Sequence, residues 1–502
     1  MLGHDGCVAL IETVLHGGRV IDPESGFDQI ADVGITGDRV VAVSTVQLRA
    51  ARRVDVSGLV VCPGFIDLHS HGQAIPEQRL QALDGVTTAL ELEAGTTTVA
   101  AAYSHAGAEG RPVNYGYATS WALARKIELI GAQPGPSLHA ILEHLGDPGW
   151  QAPASKAQRA RIYQRLYQDL ADGALGIGVL VGYAPLVDPD EFTLVAGLAA
   201  QAGVPTFTHA RPLIDVNPSV PVDGAKEIIR AAGQTGAHMH YCHVNSTSAR
   251  RIDTVRALLD EAIAEGSPVS VEAYPYGAGS TAIGAAFLAP EALKQSGLRP
   301  DDIVVVATGE RIADEKRLLE LRAADPGALV IVHFLDEANP AGREHLDRAL
   351  LYPGGAIASD AVPFTWPGQP PPPTTWPLPP GTLAHPRSAG TYAKSLRTLW
   401  RERGLQTLTE VIARSSLVPA RILEDAVPGM RRKGRLKAGS DADVLVFDPD
   451  RITDQATYVD GVRPSLGVVH LLVNGSFVVR DSALVLDSLP GRPVRASMSR
   501  SA

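Results

Sequence analysis

His69 and His71 sit two apart in the triplet His69-Ser70-His71, just past the apolar run from Val60 to Ile66. On an extended strand that spacing sends both imidazoles to one face, where they can reach a single cation. An HxH pair alone is weak evidence, because two histidines on one face also suit a core or a surface. Other apolar runs strengthen it by ending in the same kinds of residue. Glu91 and Glu93 close Leu90-Glu91-Leu92-Glu93, His209 closes Phe207-Thr208-His209, His243 closes Tyr241-Cys242-His243, and Asp360 follows Ser359. Nitrogen and oxygen donors without thiolate pairs suit Zn2+ best, with Mn2+ or Co2+ as substitutes. One or two such ions would lower the pKa of a bound water toward about 7 and polarise a carbonyl. Asp360 is then placed to take the water's proton and pass it to a leaving amine, although an aspartate there also suits a helix cap.

Positioning these residues takes a repeating scaffold. Short apolar strands alternate with helical stretches between residues 60 and 359, the rhythm of parallel βαβ units. The strands expected are Val60 to Ile66, Thr87 to Leu92, Leu175 to Leu180, Thr206 to His209, Met239 to His243, Val269 to Ala273, Val330 to Phe334 and Ala356 to Ser359. Eight strands with polar residues at their ends fit an α/β fold of the TIM (β/α)8 barrel type better than a doubly wound sheet, which gathers its chemistry at one switch point. Before and after this region, β-branched runs alternate with tight turns, so both chain ends are expected to form one small β-sandwich. The division is 1–61 and 428–486 for the sandwich and 62–427 for the barrel domain, with a lid insert at about 277–325. Residues 366–380 form a stiff proline-rich loop with two tryptophans, and 487–502 read as a disordered tail.

Composition excludes other classes. A net charge of −10 argues against a nucleic-acid or anionic-membrane surface. No apolar stretch approaches the roughly 18 residues that span a bilayer, and Met1 to Gly6 lack the features of a secretory leader. Three widely spaced cysteines (Cys7, Cys62, Cys242) provide no disulfide framework, so a reducing cytoplasm is the expected setting. The expected partner is a small-molecule or peptide-like substrate, and a homo-oligomer stays open.

Several further motifs carry a resemblance. Asp67-Leu68-His69-Ser70-His71, Gly85-Val86-Thr87-Thr88, Tyr274-Pro275-Tyr276 with Gly279-Ser280-Thr281, Ser359-Asp360 and His385-Pro386-Arg387 are found together here. So are Gly434-Arg435-Leu436 and Gly439-Ser440-Asp441-Ala442-Asp443. In these the chain resembles the D-aminoacylase branch of the amidohydrolase superfamily, from about residue 14 to 495. Ala89 to Gly95, Cys242 to Ser248 and Ile422 to Asp425 look most like the N-acyl-D-glutamate deacylases of that branch.

The resemblance implies roles. His69 and His71 hold a more labile metal with Asp360, which is also the general acid/base, and His209 and His243 hold a tighter one. Arg387 pairs with the substrate's α-carboxylate, a task that suits a planar guanidinium, and Tyr274 and Ser280 bond the same group. Two departures stand out. The branch places a metal-binding cysteine where this chain reads Glu93-Ala94-Gly95, so a carboxylate must replace it; Glu93 is nearest in register, and Glu91 shares its strand face. Asn245 stands where the branch often has a lysine. Arg211, two after His209, is expected to point the same way toward a second substrate carboxylate. His238 and His240 are expected to be packing or hydrogen-bonded groups.

The implied activity is zinc-dependent hydrolysis of the amide bond of N-acyl-D-amino acids, N-acyl-D-glutamate the favoured type. The alternatives are a related amidohydrolase acting on a peptide, a cyclic amide or a biosynthetic intermediate, and a non-catalytic assembly relative. The two tryptophans of the proline-rich loop hint at a larger substrate.

Overall fold

The structure, a computed structural model, describes residues 11–135, 138–142 and 144–497. The Met1 to Gly6 segment, Cys7 and residues 498–502 of the expected tail lie outside them. Eight parallel strands form the centre: β1 (Phe65–Asp67), β2 (Val86–Thr96), β3 (Asn114–Ser120), β4 (Ile177–Val179), β5 (Thr206–Thr208), β6 (Met239–Tyr241), β7 (Val269–Ala273) and β8 (Ala356–Ile357). They neighbour one another in chain order, and a parallel bridge between Ser70 and Ala361 closes β8 onto β1. Apart from the first two residues of β7, every strand residue is buried, as expected when helices cover the outside and side chains fill the inside.

One expected barrel strand lies elsewhere, and a strand not expected from the sequence takes its place. Leu329–His333 lies outside the barrel and pairs antiparallel with Ala278–Ala282 and Ile303–Val305 in a separate three-stranded sheet. The insert therefore continues through residue 333. A Val-Ile-Val run reads alike in a barrel strand and in a small separate sheet; only its pairing separates them. The strand that takes its place, β3, reads Asn-Tyr-Gly-Tyr-Ala-Thr-Ser and lacks a β-branched run. Its buried polar groups are satisfied by fixed partners: Asn114 Nδ2 donates to the Thr87 carbonyl at 3.1 Å, and Thr119 Oγ1 donates to Asp169 at 2.8 Å.

Both chain ends join in one nine-stranded sheet. Its path runs from Ala483–Leu484 through Ser476–Arg480, Val468–Val473, Val444–Phe447, Val60–Pro63, Ile11–Asp22 and Phe27–Thr36 to Arg39–Ser44, with Ala50–Asp55 beside Ile11–Asp22. Leu15, Val20, Val33 and Ile35 from one end share a core with Val444, Val446 and Leu472 from the other, so the sheet curls around that core. The run expected as one strand from Val60 to Ile66 is divided at Gly64: the first part belongs to this sheet and Phe65–Asp67 opens the barrel. A Cβ on Gly64 would lie 2.1 Å from Thr87 Cγ2, so only glycine permits this crossing.

The junction is polar and buried. Asp443 accepts hydrogen bonds from Lys433 Nζ at 2.6 Å, Asn114 Nδ2 at 3.0 Å and the Asn474 amide at 2.7 Å. Residues 487–497, expected to be disordered, run along the start of β3. Tyr115 donates to the Arg492 carbonyl at 3.1 Å, and Val494 donates back to Tyr115 at 2.7 Å. The tryptophans of the proline-rich loop pack on a small core with Leu80, Val362 and Phe364, so they face the protein and lend no support to a larger substrate.

Candidate metal centre

The residues that follow the strand ends converge over the barrel mouth. His69 and His71 come from the end of β1, Glu93 from within β2, His209 from β5, His243 from β6 and Asp360 from β8. His243 and Asp360 have φ of 31° and 53°, in the left-handed region that non-glycine residues rarely adopt. Such strain is of order 1–3 kcal/mol each and persists where the surroundings fix it.

Glu93 lies at the middle. Its Oε1 is 2.9 Å from His209 Nδ1 and 2.7 Å from His243 Nε2. Its Oε2 is 3.2 Å from His69 Nε2 and 3.6 Å from His71 Nε2. One oxygen thus faces each histidine pair. Asp360 Oδ1 stands 3.4 Å from the Nε2 of both His69 and His71. Among the described residues, four groups have ligand atoms within 4.8 Å of one another: His69, His71 and Glu93; Glu93, His209 and His243; His69, His243 and Asp360; and, behind the centre, His69, Cys242 and Glu272.

The other ring nitrogens are held from behind. Glu91 sits 2.9 Å from His71 Nδ1, so the two carboxylates of β2 divide, Glu93 facing the centre and Glu91 bracing a histidine. Glu272, which the sequence reading passed over, lies 2.5 Å from His69 Nδ1 and 3.0 Å from His240 Nε2. Its signal was a carboxylate inside Val269-Ser270-Val271-Glu272-Ala273. His240 continues to Ser270 Oγ at 2.8 Å, and His238 meets the same hydroxyl, so both are hydrogen-bonded as expected. Ser246 Oγ lies 3.0 Å from His243 Nδ1. A histidine with one nitrogen fixed by a carboxylate or hydroxyl presents the other as a ligand. Cys242, buried beside His69 and Glu272, has its thiol pKa pushed well up by burial.

Electrostatics agree with a cation. Burial opposes charge on His69, yet Glu93, Asp360 and Glu272 hold its pKa well above the usual value. His71 is raised to about 9 against burial by Glu91 and Asp360. Burial also opposes charge on Glu93, and His69 and His243 nonetheless hold it well below the carboxylate range. Burial lowers the pKa of His209 despite Glu93 beside it, so the pull toward positive charge is strongest at His69 and His71, and this donor set fits a divalent ion.

Beside the centre, Arg387 Nη2 is 2.9 Å from Asp360 Oδ1, and the guanidinium lies 4.9 Å over the Tyr274 ring. Arg387 Nε and Nη1 and the Ser280 hydroxyl are buried without hydrogen-bond partners among the described residues. Donors left this way mark a place for an anion. Gly279 makes room there, since a Cβ would fall 2.9 Å from the Tyr274 oxygen. Arg211 does not join them. It forks onto Glu227 at 2.6 and 3.1 Å, because the chain leaves the strand after Thr208 and two-residue alternation lapses.

His71, Glu93, His209, Asp360 and Arg387 line a cavity of about 340 Å³. Tyr183 and Phe287, also missed in the sequence, border it with ring centroids 4.7 and 5.8 Å from that of His209.

Residues 137–479 match the family described as Amidohydrolase family. An N-acyl-D-glutamate deacylase of Alcaligenes xylosoxydans xylosoxydans is 27% identical, over 97% of each chain. A D-aminoacylase of the same organism is 28% identical, over 94% of this chain and 95% of that one. A crystal structure of N-acyl-D-glutamate deacylase from Bordetella bronchiseptica, complexed with zinc and a phosphonate inhibitor, aligns at a TM-score of 0.74 and 23% identity. It covers 97% of this chain and 100% of that one. A D-aminoacylase crystal structure aligns at the same TM-score with 22% identity and the same coverage. Both have the fold seen here.

Proposed function

The chain belongs to the amidohydrolase family, and from that premise we propose that it is a zinc-dependent deacylase of N-acyl-D-amino acids, with N-acyl-D-glutamate the favoured type. The observation that carries this reading is the set of unpaired buried donors on Arg387 and Ser280 beside the histidine–carboxylate cluster. An α-carboxylate reaching Arg387 Nη1 and the Ser280 hydroxyl gives both a partner, and the adjoining amide then lies over Glu93 and Asp360.

His69, His71, His209, His243, Glu93 and Asp360 would hold one or two zinc ions, Glu93 shared between the two histidine pairs. Bound zinc supplies a water of lowered pKa and polarises the acyl carbonyl. Arg387 orients the substrate through a bidentate pair, with Tyr274 and Ser280 as further donors. Asp360 accepts the proton of the attacking water and returns it to the amine nitrogen as the C–N bond breaks. Burial disfavours its charge, but Arg387 and His69 hold its pKa below the ordinary carboxylate value, so it starts ionised. The side chain of a D-glutamate substrate finds Arg250 and Arg251, cavity-lining cations that carry no carboxylate partner among the described residues.

The substrate is a small molecule. The setting we assign is the cytoplasm, in keeping with the two buried free thiols Cys62 and Cys242. No helix among the described residues is long and apolar enough to cross a membrane. A screen of N-acyl-D- and N-acyl-L-amino acids tests the activity. Chelation should abolish turnover and zinc should restore it, and Arg387→Ala should cut kcat/KM by at least about 100-fold, the scale of a lost charged contact. Turnover that needs no free α-carboxylate would sink the assignment.

A further inference from the structure

The cavity has two unlike sides. Arg387 and Tyr274 stand over β7 and β8. Across the barrel axis, over β3 and β4, the wall is aliphatic: Leu138, Ile141 and Leu142 from the connection after β3, and Leu180 from the end of β4. Phe287 and Leu288 of the insert cover it, and Phe287 stacks at 15° on His209. Val332, Phe334 and Val362 add apolar lining near Tyr274, and the aliphatic wall over β3 and β4 adjoins the candidate metal centre on the side across from Arg387.

An N-acyl amino acid carries its carboxylate and its acyl chain on opposite sides of the amide. With the carboxylate on Arg387 and the amide at Glu93 and Asp360, the acyl chain runs into the aliphatic side. An acetyl group leaves that side nearly empty, since its methyl needs little more than one water's share of roughly 30 Å³. Water fills the space poorly, because leucine and isoleucine side chains provide it no hydrogen-bond partners.

We propose that the acyl half of the substrate is an unbranched fatty acyl chain, of octanoyl to dodecanoyl length, seated against Leu138, Ile141, Leu142, Leu180, Phe287 and Leu288. This rests on the deacylase reading above and specifies its substrate class. The reaction stays a hydrolysis: the amide C–N bond breaks, the water's oxygen joins the acyl carbon, and its proton goes to the amine. A free fatty acid and an amino acid result, with no redox partner.

The test compares kcat/KM for N-acetyl-, N-butanoyl-, N-octanoyl- and N-dodecanoyl-D-glutamate with the zinc-loaded protein. A parallel series varies the amino-acid side chain at fixed acetyl. We expect a rise of about two- to four-fold per methylene up to octanoyl, the scale of burying a methylene. In Val216→Trp, a half-buried cavity-lining position, and in Leu142→Trp, the octanoyl-to-acetyl ratio should fall at least ten-fold. A profile flat in acyl length, or a gain seen only with the amino-acid side chain, overturns the inference and leaves the deacylase reading standing. Binding of butanoate, octanoate and dodecanoate by calorimetry separates the two readings. If no N-acyl-D-amino acid is turned over, yet affinity rises with chain length and collapses in both variants, the chamber stands and the deacylase reading falls. Length-independent binding overturns the chamber.

Discussion

Glu91 and Glu93 lie on one face of one strand, and the geometry gives them different work. Glu93 faces all four histidines, whereas Glu91 meets the outer nitrogen of His71 and accepts from the Gly95 amide at 3.3 Å. Removing an outer partner of a ligand weakens metal binding by about 10–100-fold, and removing a ligand costs more. We expect Glu93→Gln to lower zinc per chain and cut activity by more than about 100-fold. Glu91→Gln should keep its zinc at saturation and lose affinity only. Metal analysis after dialysis checks both, and equal loss from the two variants would remove the distinction. At this scale the sequence is informative where a polar residue interrupts an apolar run, as with His69, His209, His243 and Asp360. Glu272 interrupts one too, so its signal was present. Arg211 was misplaced because strand periodicity was carried one step past the strand's end.

The strands and their connections show which patterns mislead. Asn114–Ser120 forms a buried barrel strand because the Thr87 carbonyl, Asp443 and Asp169 satisfy its polar groups, and those partners are distant in sequence. Leu329–His333 has the apolarity of a barrel strand and goes to the separate three-stranded sheet, because its hydrogen bonds go to Ala278–Ala282. Neighbouring strands also make a pH-dependent contact. His238, just before β6, sits 2.8 Å from Ser270 Oγ on β7, and burial lowers its pKa to about 4. The unfolded chain, with histidines near 6.5, binds one more proton than the folded chain between those values. Stability present above about pH 6.5 is therefore lost as pH falls toward 4. His238→Asn should flatten that part of the profile, read as urea midpoints at about pH 7 and 4.5. A decline as steep as in the parent protein would place the titration elsewhere.

For the whole molecule, the join between barrel and end sheet is concentrated on Asp443. Asp443→Ala leaves Lys433 and Asn114 without their shared carboxylate, and breaking a buried pair costs about 3–5 kcal/mol. Lysine 433 also has Asp441 at 3.0 Å, so the expected loss is at the low end, about 3 kcal/mol, measured as a lower unfolding midpoint. Truncation after Leu486 should also lower the midpoint, since residues 487–497 bond along β3 and bury Val494 and Ala496. An unchanged midpoint would show that this segment adds nothing. The shared end sheet was legible because similar strand-and-turn rhythms occur at both ends. The docked tail was not, because its hydrogen bonds come from Tyr115 and Asn114, far away in the chain.

The division of one sheet between the two ends also governs how the protein is made. Val60–Pro63 needs Val444–Phe447 as its antiparallel neighbour. At about 5–20 residues per second, a ribosome takes roughly 20–75 s to travel from one to the other. Throughout that interval the first half-sheet has an open edge and an unfilled core, while the barrel grows beside it. Pairing across such a sequence distance is slow to nucleate and exposed to aggregation. The nascent chain is thus most vulnerable at its beginning, and its last strands act as the clasp that ends the exposure.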